Sequence, residues 1–277
     1  MTMGRTTMGK ILWNLRFTAK MIHMLVKMKL TRMMAFRLSF FGGFFADGAF
    51  FVTQVLAFQA IYGHADEIGG WGRGQTLIFV GTFSMLNGIN MLVYFFGVIR
   101  IPRLIREGGL DVYITKPGSA LLRLTFESVD PGCAPLLPLS AGIIAYGARV
   151  AGIHVTPGLA AGYVALTLLM ALLYYDMEVI LRTLPFFFIG ASAVERIEGE
   201  ALTLNFRIPG VFYKGAFKVI FMFILPYGVM ATTPARMLTR TLEPSGLIHA
   251  LAVVVVFTWF ALWFWRFGLR HYKSAGG

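Results

Sequence analysis

Glu178 and Arg182 stand four residues apart in an otherwise apolar stretch, with Asp176 just before them. On a helix that spacing puts a carboxylate and a guanidinium on one face, where they can pair. Asp47 sits alone in another apolar run, 38–61. A carboxylate at mid-bilayer costs roughly 2.5–3.5 kcal/mol on insertion scales, so Asp47 must face protein or water. Gln54 and Gln59 follow it in the same run. Asn87 and Asn90, on adjacent faces of 77–99, suit hydrogen bonds between helices. Asp47, Gln54, Asn87, Asn90, Asp176, Glu178 and Arg182 are therefore the candidates for two roles, polar contacts between helices or the lining of a pathway.

Other chemistries lack their residues. The five histidines (23, 64, 154, 249 and 271) are scattered, and no HExxH or nucleophile–base pattern occurs. Cys133 is the single cysteine, so neither an intrachain disulfide nor a cysteine-rich metal site can form. Gly4 to Lys10 satisfies GxxxxGK, but Ile11 stands where a phosphate loop needs Ser or Thr. Only three residues precede Gly4, too few for the strand such a loop follows. No catalytic, metal or cofactor site, and no ATP hydrolysis, is expected of this chain.

The elements that carry these residues are membrane helices. Hydrophobic residues make up 57 % of the 277 and charged residues 14 %, against roughly 25 % charged in soluble domains. Apolar runs reach the ~20 residues a helix needs to cross a bilayer. The alternating polarity of a membrane β-barrel is missing. The sequence predicts an all-α integral membrane protein with six spans, at 38–61, 77–99, 133–153, 158–181, 212–232 and 247–266. A leader, 1–37, precedes them and a tail, 267–277, follows. With both ends in the cytoplasm, 21 Lys and Arg fall on the inner side and 4 on the outer, the positive-inside bias. The net charge of +12 thus belongs to the inner leaflet, and no nucleic-acid partner is needed to explain it. Span 4 has two readings. It ends near 175, or it runs to 191 through Asp176, Glu178, Arg182 and Pro185, and then either projects into the cytoplasm or kinks near Pro185. Gly158 and Gly162 give it a GxxxG, a frequent and weak helix-contact motif.

Two segments outside the spans stand out. In the leader, Arg16, Lys20, His23 and Lys27 recur on one helical face, opposite Phe17, Met21, Met24, Leu25 and Met28. Such an amphipathic helix lies in the inner membrane interface. It is either an anchor or a docking surface for a cytoplasmic partner. Between spans 2 and 3, Arg103 to Gly118 reads as two short helices. The first stops at Gly108–Gly109, since glycine readily takes the left-handed cap. The second, around 110–115, stops before Pro117. The pair forms a compact charged knob.

Here the chain resembles permease subunits of ATP-binding-cassette transporters of the type-2 exporter class, in a bacterial subfamily of poorly known substrate. Glu107-Gly-Gly-Leu-Asp111 with Lys116-Pro117 is similar to that family's signature between helices 2 and 3. Phe206-Arg-Ile-Pro-Gly-Val-Phe-Tyr213, then Pro226 and Pro234-Ala235, is similar to the stretch around its helix 5. The likeness covers about 10–270. One departure is Pro185-Phe-Phe-Phe188, where the family usually has a Phe-Trp pair. The resemblance implies an export pore in the cytoplasmic membrane. Two permeases, identical or paralogous, would pair among membrane lipids, and separate ATPase subunits would bind ATP and Mg. Arg103, Arg106, Glu107, Gly108, Asp111, Lys116 and Pro117 would form the coupling element. It also implies short re-entrant helices at 233–246. A secondary transporter or an intramembrane enzyme are the alternative classes. Neither the inverted repeats of the first nor the clustered ligands of the second are visible.

Overall fold

The computed structural model describes residues 7–33, 37–64, 66–68, 70–188 and 192–272. Apart from a two-residue hairpin, β1 (Glu67–Ile68) with β2 (Trp71–Gly72), its regular structure is helical. The first two helices are α1 (Thr7–Met33) and α2 (Arg37–Ile61). The bundle is built on α3 (Arg73–Val93), α8 (Leu136–Val150), α9 (Pro157–Thr183) and α13 (Pro244–His271). These four, α8 together with the turn that leads into it at Pro131, are long and apolar enough to cross a membrane. The chain is an all-α integral membrane protein.

Side-chain contacts fix the relative directions. Thr82 Oγ and the Tyr163 hydroxyl lie 2.9 Å apart, and the Tyr94 hydroxyl donates to Ala171 O at 3.1 Å. α3 and α9 therefore run parallel. Thr258 Oγ1 donates to Asp176 Oδ2 at 2.5 Å, and Gly268 lies against Thr183, so α13 runs with them. All three start at the end of the bundle that holds the β-hairpin.

The tightest pairing is α3 on α8, and glycines create it. Gly74, Gly81 and Gly88 recur every seventh residue, so they share one face of α3. A Cβ on Gly81 would stand 2.7 Å from Ile144 Cγ1 and 3.0 Å from Ile144 N, and one on Gly88 would stand 3.3 Å from Leu136 Cβ. On the facing helix Gly147 meets Ile78 N at 2.9 Å in the same sense. In membranes, where lipid is as apolar as a side chain, close backbone approach of this kind drives helix association. Gly81→Val should therefore lower stability by ~1–3 kcal/mol, read as a fall in the thermal midpoint in detergent. An unchanged midpoint would show that α3 and α8 can separate freely. The GxxxG of α9 contributes less. Gly162 packs on Met237, while Gly158 has nothing within 4 Å.

Span 4 runs past 175 through Asp176, Glu178 and Arg182, as in the longer reading, but its helical turns end at Phe186 and not at 191. α9 is unbroken to Thr183 and passes into a 3₁₀ turn, Leu184–Phe186. Pro185 has no N–H to continue the hydrogen-bond ladder of α9, and the α-helix stops two residues before it. The 27 residues of α9 measure about 40 Å, more than the ~30 Å hydrocarbon core.

Span 5 departs from expectation. The stretch read as one crossing, 212–232, holds α11 (Gly215–Val219), a π-helical turn (Ile220–Ile224) and then α12 (Tyr227–Leu238), which is turned by 87°. Pro226 is the cause. It forces the residue before it out of the helical region, and Leu225 has φ −121° and ψ 78°. The bend thus falls at 225–226 rather than in 233–246, where α12 continues through Pro234 to Leu238.

The chain reaches that region along α10 (Ser192–Arg207). α10 meets Arg182 near the end of α9. Further on, Asn205 Oδ1 accepts from the Tyr213 hydroxyl at 3.0 Å, and Gly210 N donates to Thr232 Oγ1 on α12 at 2.9 Å. Lys218 then shares a cavity with Gly70, Trp71, Arg236 and Thr241 at the hairpin end. Lys214 and Lys218, assigned from sequence to the cytoplasmic side, therefore group with residues assigned to the outer side. Moving both leaves a ratio of 19 to 6, and the orientation argument is unchanged.

Candidate functional site

The loop between α3 and α8 folds into a knob with its own core. It comprises α4 (Phe95–Val98), α5 (Ile101–Arg106), α6 (Asp111–Ile114) and α7 (Ala120–Glu127). Gly108 and Gly118 turn the chain at φ 73° and 103°, a region that disfavours side chains. Ser119 caps α7, accepting from Leu122 N. Ile101, Leu104, Leu110, Tyr113, Leu121 and Leu124 are buried together with Val179 of α9 and Trp265 of α13. The knob is thus packed onto the ends of two long helices, not tethered as a solvated loop. Phe186 joins the contact, 5.8 Å from the Trp265 ring and 6.0 Å from that of Tyr272.

The predicted coupling residues sit on the outside of this knob. Arg103, Arg106, Glu107, Lys116 and Pro117 are exposed, while Gly108 and Asp111 are half-buried. Arg103 and Glu107 pair at 3.5 Å with both side chains more than 60 % exposed, a geometry that contributes little to stability. Arg123 Nη2 donates to Pro117 O at 3.1 Å and ties the turn down. Burial and the nearby Glu127 push the Tyr113 hydroxyl above its ordinary range. Val112 and Ile114 leave apolar surface beside these charges. The knob presents a mixed face suited to another protein.

The second cluster lies between α9, α10 and α12. Arg182 Nη2 is 3.1 Å from Glu178 Oε2, the i,i+4 pair implied by their spacing. Its Nη1 donates to Glu198 Oε2 of α10. The Tyr227 hydroxyl lies 3.5 Å from Glu198 Oε1. All three charged side chains are almost fully buried. One guanidinium thus pairs with two carboxylates, through a charge-assisted hydrogen bond to Glu198 and an ion pair to Glu178, and it locks α9 to α10. Asp176, also buried, binds α13 through Thr258 instead.

The remaining candidates divide. Asn90 is buried next to Tyr174, near this cluster. Asn87 is half-buried, with Nδ2 3.8 Å from Met91 Sδ, and Gln54 is half-buried on α2. The Asp47 side chain lies outside the described residues. Glu198 and Tyr227 were not singled out from sequence. Glu198 sits among the charges of 195–200 and read as part of a cytoplasmic loop. The available signal was the spacing of Glu198, Ala201 and Asn205, which puts all three on one helical face, and all three are buried.

A bundle of membrane helices with a packed charged knob between α3 and α8 has the build of a permease-type membrane component. Residues 49–276 match the family model of the ABC-2 family transporter protein, and the chain belongs to that family. It is a permease subunit of an ABC transporter, set in the membrane by several helices. No curated protein and no solved structure gives a match.

Proposed function

We propose that the chain is the transmembrane half of an ATP-driven exporter in the cytoplasmic membrane of a bacterium. Six passages, with both ends in the cytoplasm, are made by α2, α3, α8, α9, the α10–α12 stretch and α13. Two such subunits pair to form the substrate pathway. Separate ATPase subunits bind ATP and Mg and seat the knob. The observation that carries this reading is the knob's construction. Its charges and the apolar Val112 and Ile114 face outward, while its core is shared with α9 and α13. A push on the knob is therefore delivered to two long helices at once. ATP must favour one arrangement of the helices over the other for work to be done.

The test is co-purification in mild detergent followed by ATPase assay. The tagged chain should bring down a nucleotide-binding subunit and stimulate it. Glu107→Arg, which breaks only an exposed pair, should leave the thermal midpoint within ~0.5 kcal/mol of stability while abolishing stimulation. Stimulation undiminished by Glu107→Arg would remove the knob from the coupling route. Absence of any ATPase partner would remove the exporter reading altogether.

A further inference from the structure

Between α1 and the knob lies an open cavity of about 360 Å³. Its lining combines two chemistries. Met21, Met24 and Met28 of α1 supply apolar surface, with Met24 and Met28 half exposed. Lys29 of α1 and Lys116 and Arg123 of the knob supply positive charge. α1 is held over the knob at Gly118, where a Cβ would meet Phe17 Cε1 at 3.5 Å and Met21 Sδ at 3.7 Å. Glu127 is the carboxylate of the cavity lining, and its charge acts on Tyr113, together with Arg100. Among the described residues Glu127 makes no ion pair with any of the three cations, so the cavity keeps a positive surplus.

We infer that this cavity is a binding site for an anionic phospholipid of the adjoining leaflet. Its phosphate sits among Lys29, Lys116 and Arg123, and an acyl chain lies along the methionines. The charge pattern selects this occupant. A free phosphate satisfies the cations but leaves half-exposed methionine in water. A zwitterionic lipid covers the methionines and brings a phosphate, but its own ammonium cancels that charge and leaves the positive surplus of the cavity uncompensated. Methionine, unbranched and polarisable, accommodates chains of differing shape. A basic cluster at the membrane surface attracts anionic headgroups through the same charge interaction. Such a lipid bridges α1 and α7 and sets how α1 rests on the coupling knob. The inference rests on α1 lying along the membrane surface and stands whether or not an ATPase binds the knob.

The experiment is native mass spectrometry of the full chain released from nanodiscs of phosphatidylcholine containing phosphatidylglycerol. Wild type should retain phosphatidylglycerol in preference to phosphatidylcholine. Removing two of the three cations in Lys29→Gln/Arg123→Gln should weaken retention about 30-fold, and Lys29→Gln alone about 5-fold. The single variant changes one half-buried side chain and keeps the idea testable if the double variant fails to fold. Lys218→Glu, in the cavity at the opposite end of the bundle, should leave retention unchanged. Equal retention of the two lipids, or retention indifferent to Lys29→Gln, would overturn the inference. Displacement of the lipid by millimolar inorganic phosphate would reassign the cavity to a free anion. Displacement by the ATPase subunit would make it a protein-docking surface instead.

Discussion

Arg182→Ala should be the most destabilising single substitution among the charged residues, lowering stability by about 3–5 kcal/mol. The arginine is 6 % exposed and its two carboxylate partners 2 % and 3 %. Removing it leaves two buried carboxylates facing each other without a counter-charge. The loss reflects that uncompensated burial more than the strength of the ion pairs themselves, and this has a consequence for rescue. Replacing all three charges together, as Arg182→Met with Glu178→Gln and Glu198→Gln, should recover much of the lost stability, because no charge is then buried and a neutral amide costs less to bury than a carboxylate. Arg182→Lys should fall between the two. An ammonium keeps the charge but lacks the planar fork that reaches both carboxylates at once. Thermal unfolding of the purified protein in detergent separates these cases. A Glu178→Gln/Glu198→Gln/Arg182→Met variant no better than Arg182→Ala would mean that the cluster's charge is itself required for folding.

The long helices were legible because their cause is local. A run of apolar residues of membrane length needs no distant partner to be recognised, and the ranges read for spans 2, 3, 4 and 6 overlap α3, α8, α9 and α13. The knob was legible for a similar reason. Gly108 and Pro117 act on the backbone wherever they stand, and the two short helices end beside them. Span 5 was not legible, because hydropathy records how apolar a segment is and not its direction. Residues 212–232 have the length and apolar character of one crossing, yet 215–224 fold against the hairpin end, and at Pro226 the chain turns by 87°. α10 was missed for the opposite reason. Its charges made it look soluble, although Glu198 is neutralised by an arginine sixteen residues earlier. That pairing depends on how α9 and α10 pack, and nothing in the order of residues displays it. The glycines of α3 stand at a spacing of seven, which is not the GxxxG spacing, and only the packing of α8 shows that all three meet a helix.

On the coupling role proposed above, Gly97→Val should uncouple the knob while the protein still inserts. Gly97 is the contact point of α4 with α7. A Cβ there would stand 2.9 Å from both Leu124 C and Thr125 O, and closer still to Leu124 O. These are backbone atoms, which cannot rotate aside as the end of a side chain can. The only relief is to push α7 away from α4, and α7 carries Leu121 and Leu124 into the core shared with α9 and α13. Overpacking of this kind costs ~1–3 kcal/mol, less than the long helices gain by burial, so the bundle should survive with a lowered midpoint. What should not survive is the fixed geometry between the knob's outer face and the helix ends. Stimulation of the ATPase should then be lost even though Arg103, Glu107 and Lys116 are all in place. Gly142→Ala provides the control. It lies on α8 with nothing within 4 Å of its Cβ position, and should change neither midpoint nor stimulation. Full stimulation by Gly97→Val would mean that the ATPase acts on the charged surface alone, and that the packing beneath it transmits nothing.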